Sequence, residues 1–164
     1  MTFILNSQRN EDVARAFENY KIYLNKNKEI FPPSAYRLAS SDWYFDPSDH
    51  RCPHDAWLQE FVMSEFSTGK RHEIRHTSIK LRLLSAYQDG FIELYYPNVF
   101  QYRFEGQFVQ SGHGDWRYDE FRLSGDNKLH HEIEWTTSRE TSHWLIESDD
   151  VHFSWFHVEE SCQD

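Results

Sequence analysis

From Ala56 almost to the C-terminus the sequence alternates between apolar and polar residues with a period of two, and this restricts the chain to an antiparallel β architecture. Successive side chains on a strand point to opposite faces, so such a period supplies one face for a core and one for water. Ile79, Leu81 and Leu83 alternate with Lys80 and Arg82. Phe91-Ile92-Glu93-Leu94-Tyr95-Tyr96 then follows Asp89-Gly90, residues that accept the positive φ of a hairpin turn. Phe100, Tyr102 and Phe104 continue the alternation beyond Pro97-Asn98. Trp116, Tyr118 and Phe121 predict another strand, with a break of register near Asp119-Glu120. Leu129, His131, Ile133 and Trp135 alternate against His130, Glu132 and Glu134. With Trp57–Phe66, Trp144–Glu147 and Val151–Val158 the count reaches about eight strands of ordinary length.

Only residues 10–30 carry a clear helical period, through Val13, Ala16, Phe17, Tyr20 and Leu24. Asn10 suits the N-cap, Glu11 and Asp12 suit the first turn, and Pro32-Pro33 ends the segment. Residues 34–40 suit a short helix, and 41–56 mix turn formers with large aromatics as an ordered loop does. The expected fold is therefore a single α+β domain over 1–164: a helix at about 10–30, an aromatic loop at 41–56 and an antiparallel sheet at 57–158. The sheet is expected to be strongly curved, a meander or incomplete barrel of about eight strands covered by the N-terminal helix. The alternative is a β-sandwich with one docked helix.

Charge narrows the function classes. The 164 residues carry a formal charge of −10, unevenly spread. Residues 1–82 hold 12 Lys/Arg and 11 Asp/Glu (net +1), whereas residues 83–164 hold 5 and 16 (net −11). A negative field repels phosphate backbones, so nucleic acid is not an expected ligand. No stretch approaches the roughly 18 consecutive apolar residues of a membrane span, and Met1–Asn6 lacks a basic flank, so a cytoplasmic chain without a membrane role is expected. Cys52 and Cys162 are too few for a disulfide scaffold and read as thiols in a reducing compartment.

Ten histidines, six of them in the acidic half, raise a metal reading. His130, Glu132 and Glu134 share one strand face, and His113 or His152 from a neighbouring strand would complete a four-ligand set for zinc or another divalent metal. The competing reading of the same row is a polar, solvent-facing strand surface with no cofactor. In Asp49-His50-Arg51-Cys52-Pro53-His54-Asp55, a cation beside Cys52 and an imidazole two residues on suit a thiol nucleophile, but they equally suit a buried cysteine in a hydrogen-bonded loop. No phosphate-binding glycine loop, helical zinc motif or nucleophile elbow occurs.

The 28 aromatic residues (13 Phe, 9 Tyr, 6 Trp) exceed what a small core needs. Together with the acidic second half they favour a non-catalytic binding protein. Its partner would be a protein with a basic surface, or a second copy in a homodimer, meeting the C-terminal sheet at Trp116, Tyr118, Trp135, Trp144 and Trp155. Binding of that kind weakens as salt rises. A small metal or thiol enzyme is the rival. A carrier of a small apolar ligand is a third class, which requires a cavity of about 300 Å³ or more.

Overall fold

The computed structural model of the chain describes residues 1–106, 109 and 112–158, apart from the side chains of Ser7 and Gln8. It is an α+β fold built mostly of antiparallel sheet. Among the described residues there are eight strands, β1 (Trp57–Thr68), β2 (Ile74–Leu84), β3 (Gly90–Tyr96), β4 (Val99–Phe104), β5 (Asp115–Leu123), β6 (Leu129–Thr136), β7 (Thr141–Ser148) and β8 (His152–His157). They divide into two four-stranded sheets, ordered β1-β2-β3-β8 and β4-β7-β6-β5, and neither closes. Two sheets thus stand where one continuous curved sheet was expected. The chain crosses between them at Pro97-Asn98, where Asn98 takes φ 48°, and again between β7 and β8. Both crossings are short turns, so the period of two continues through them and conceals the division.

The register agrees with the faces read from the sequence. Leu81 pairs with Leu94 and Leu83 with Ile92 in the first sheet, and Phe121 pairs with His131 in the second, all on the core side. The bulge in β5 lies between Trp116 and Tyr118, two residues before the expected break. It lets Trp116 and Asp119 both face the core, where they are buried, while Tyr118 faces outward beside Glu134. Gly90 does not supply the positive φ of its hairpin; Gln88 does, at φ 58°. Gly90 serves space instead, because a Cβ there would lie 2.1 Å from the indole of Trp155.

The helices are α1 (Val13–Lys26) and α2 (Pro33–Ala39). Asp12 rather than Asn10 caps α1, its carboxylate accepting from the Arg15 amide at 3.0 Å. Pro33 starts α2 at a position where its missing N–H has no intrahelical role. Among the described residues no helix is long and apolar enough to cross a membrane.

Helix α1 docks on β5 and satisfies its free edge. The Tyr20 hydroxyl donates to the Phe121 carbonyl and accepts from the Phe121 amide, both at 2.9 Å, and the Tyr23 hydroxyl accepts from the Leu123 amide at 2.8 Å. Below them the Asp55 amide donates to the Trp116 carbonyl at 2.7 Å, and the Trp116 amide donates to the Ala56 carbonyl at 3.0 Å. An edge strand otherwise presents unpaired main-chain groups that cost stability when buried. Tyr20→Phe strands both Phe121 groups and is expected to lower unfolding free energy by about 2 kcal/mol. Urea denaturation checks this, and an unchanged midpoint would show that the edge does not depend on the hydroxyl.

Candidate functional site

A buried polar network lies at the centre of the core. Asp119 accepts from the Trp116 indole N–H through Oδ1 at 3.0 Å, and from the Tyr44 hydroxyl through Oδ2 at 2.9 Å. His131 Nε2 lies 2.8 Å from the same Oδ2, and its Nδ1 lies 2.7 Å from the Tyr96 hydroxyl. A carboxylate can only accept, so Nε2 carries the proton that Asp119 receives. Burial pushes both phenols well above their ordinary pKa, and the nearby Asp119 charge pushes them the same way. They therefore remain hydroxyl donors at any physiological pH. An Asp–His–Tyr series can relay protons, but His131 has no exposed surface and is sandwiched between Phe121, 4.0 Å away ring to ring, and Tyr96. The network fixes the packing of β5 on β6; its imidazole does not reach a ligand.

The row His130, Glu132 and Glu134 lies on the opposite face of β6, and it is not a solvent-facing row. The N-terminal segment folds over it. Arg9 donates to Glu134 at 3.2 Å and to the Ile4 carbonyl at 2.9 Å, with its guanidinium 4.2 Å above the Tyr118 ring. Glu120, on the same face, accepts from the Phe3 and Leu5 amides at 2.9 and 3.1 Å. Desolvation raises the Glu120 pKa against these donors. Arg122 ion-pairs with Glu132, and its Nε stands 2.8 Å from Glu120 Oε1, a charge contact too poorly aligned to be a hydrogen bond. Burial, with Arg122 nearby, brings His130 down to about 4.

The five expected metal ligands do not converge. His113 sits on the core side, its ring 4.5 Å from Trp135 and 5.1 Å from Trp144, with its pKa lowered by burial. The β6 row faces the other way. His152 belongs to the other sheet and stacks on Tyr95. Among the described residues no three His, Cys, Asp or Glu side chains are placed to hold a metal ion.

Cys52 is buried, and its thiol is pushed up to about 12, chiefly by desolvation, so the thiolate needed for nucleophilic attack is not formed at neutral pH. His54 turns instead toward Asp55, 3.3 Å from its Nδ1, and meets Tyr118 edge-on. Cys162 lies outside the described residues.

Of the expected binding aromatics, Trp116, Trp135 and Trp144 are 1%, 0% and 8% exposed and line the core. Tyr118 and Trp155 are half-buried. Exposed rings lie on β1 and on β4 (Phe100, Tyr102), and singly at Tyr87, at Tyr95 of β3 and at Phe156 of β8. Phe61 and Met63, 36% and 38% exposed, stand opposite Leu81 and Ile79 of β2 on the core side. Phe66 and Trp57 are exposed on the other side of the same strand. Phe61 meets Phe104 and Trp144 edge-on at 5.0 and 5.7 Å, so β1 is anchored to the second sheet through this ring. Strand β1 is twelve residues long, pairs with β2 on one side, and is an edge of its sheet on the other. The signal for it was present in the sequence: Trp57 to Phe66 is apolar at both parities, the mark of a strand with something to cover on each face.

Comparison with protein-family models, with curated proteins and with solved structures finds no match.

Proposed function

We propose that this chain is a non-catalytic binding protein that pairs with a second copy of itself along β1, joining two four-stranded sheets edge to edge. The observation that supports this reading is the outer edge of β1, long, apolar on both faces and unpaired with any strand among the described residues. Only another extended strand matches a row of main-chain donors and acceptors at strand spacing. Native proteins block such edges with charge, proline or a covering element, as α1 covers β5 here.

Charge favours a second copy as the occupant. The β1–β2 hairpin, residues 57–84, carries five Lys/Arg and three Asp/Glu in a chain of net −10. The two acids of β1 are already matched, Glu60 by Lys80 at 3.3 Å and Glu65 by Arg75. Two copies therefore meet with least repulsion here. An antiparallel pairing about Val62 sets Phe61 of each copy opposite Met63 of the other, apolar against apolar.

Sedimentation or light scattering over a concentration series tests the proposal. The chain is expected to dimerise, and the dimer to tighten as salt rises, because screening removes repulsion between two acidic bodies. That sign is opposite to the one for an acidic sheet meeting a basic partner. Met63→Lys places two like charges near the two-fold axis and is expected to weaken the dimer at least about tenfold. A chain that stays monomeric up to about 500 μM overturns the proposal.

A further inference from the structure

A cavity of about 210 Å³ opens between α1, the loop over 41–56 and β5, away from the β1 edge. Five aromatic side chains, Phe17, Tyr44, Phe45, Trp116 and Tyr118, line it, together with Asp119, Cys52 and others. The wall is stiff: Phe45 meets Phe17 and Tyr44 edge-on, 5.5 and 4.8 Å between ring centres. A cavity of about 150 Å³ holds benzene, so this one accommodates a single ring with a short substituent. It falls short of the drug-sized pocket that a carrier of larger apolar ligands needs.

Two features select the ligand's charge. Asp119 brings a buried carboxylate to the cavity, and Oδ1 accepts one hydrogen bond where Oδ2 accepts two, which leaves an acceptor position open. The field there is also negative: the charges acting on the Cys52 thiol come from Asp119, Asp46 and Asp49, and all raise its pKa. Of the two basic groups lining the cavity, His54 stands beside an acid, and Arg117 shares Glu134 with Arg9 but is exposed, where solvent screens its charge. His54 faces Asp55 at 3.3 Å, and Arg117 lies 3.9 Å from Glu134. Aromatic walls with a carboxylate among them are the chemistry that recognises an organic cation. We propose that this cavity binds a small aromatic ammonium ion of about the size of benzylammonium.

Calorimetric titration with benzylamine, benzyl alcohol and benzoate, three molecules of nearly one shape with charges of opposite sign and none, tests the proposal. Benzylamine is expected to saturate with Kd below about 1 mM, at least about tenfold tighter than benzyl alcohol, and benzoate is not expected to bind. Phe17→Trp, at a half-buried position on α1, narrows the cavity and is expected to weaken benzylamine about tenfold. Should that variant fold poorly, the parent chain supplies a second readout: saturating benzylamine is expected to raise its thermal midpoint, and equimolar benzoate to leave it unchanged. Equal affinity for benzylamine and benzyl alcohol, absence of saturable binding, or equal thermal midpoints with benzylamine and with benzoate each overturns the proposal.

Discussion

Asp119→Ala is expected to lower unfolding free energy by about 4 kcal/mol, a large part of the roughly 5–15 kcal/mol that holds a domain of this kind folded. Three donors converge on this one carboxylate: the Trp116 indole, the Tyr44 hydroxyl and His131 Nε2. None can turn to water, because Trp116, Tyr44 and His131 are all buried. Removing the acceptor leaves each donor desolvated and unpaired, and adds a small void between β5 and the loop that carries Tyr44. Asp119→Asn keeps one carbonyl acceptor but turns an N–H₂ toward donors, so about 2 to 3 kcal/mol is expected for it. Tyr44→Phe removes a single donor and leaves the carboxylate two others, so it should cost about 1 kcal/mol. Urea denaturation followed by tryptophan fluorescence ranks the three. If Asp119→Ala falls within 1 kcal/mol of the parent, the network contributes packing only, and its hydrogen bonds do not hold the core.

The same network shows where the sequence was readable and where it was not. A half-buried strand displays its orientation in its own residues, so the strands and their core faces could be read from alternation alone. Leu81, Leu83, Ile133 and Ile146 are fully buried, in keeping with the pattern. His131 carried a signal as well, since it stands in the apolar row of β6 and therefore had to find partners inside the core. Its partners were not legible. Tyr44 lies 75 residues from Asp119, and Tyr96 lies 35 residues from His131. Contacts at such separations depend on strand order, which alternation does not encode. Strand order also decides that β1 and β4 are edges while β6 is central, and so that rings are exposed in number on β1 and β4 while Trp135 of β6 is buried. The row His130, Glu132 and Glu134 was readable as a shared face. Its covering by residues 1–10 was not, because that segment has no period and is held by Arg9 and by main-chain amides donating to Glu120. A single arginine and two backbone groups leave no pattern in a sequence.

That covered row has a pH signature. His130 is held at about 4, against an ordinary 6.5, because burial disfavours its charged form and Arg122 on β5 adds repulsion. Arg103 on β4 and the neighbouring His131 act in the same direction, and Glu132 on its own strand opposes them. Glu147 on β7 stands 3.8 Å from Nδ1, too far to donate or accept a hydrogen bond and too weak a partner to offset desolvation. Above pH 6.5 the imidazole is neutral in both folded and unfolded chains and contributes no pH dependence. Between 6.5 and about 4 the unfolded chain takes up a proton that the folded chain refuses, so stability falls with falling pH across this window. A displacement of this size corresponds to about 3 kcal/mol, most of it lost by pH 4 and the contribution constant only below the folded-state pKa. His130→Gln removes the titration while keeping a polar side chain at a half-buried position. The gap between parent and variant is therefore expected to move by about 3 kcal/mol in the variant's favour as pH falls from 7 to 4. Comparing the two chains at each pH cancels the carboxylates, which titrate in both. A gap that stays constant across the window means that His130 charges in the folded chain as readily as in the unfolded one, and that burial and Arg122 do not control it.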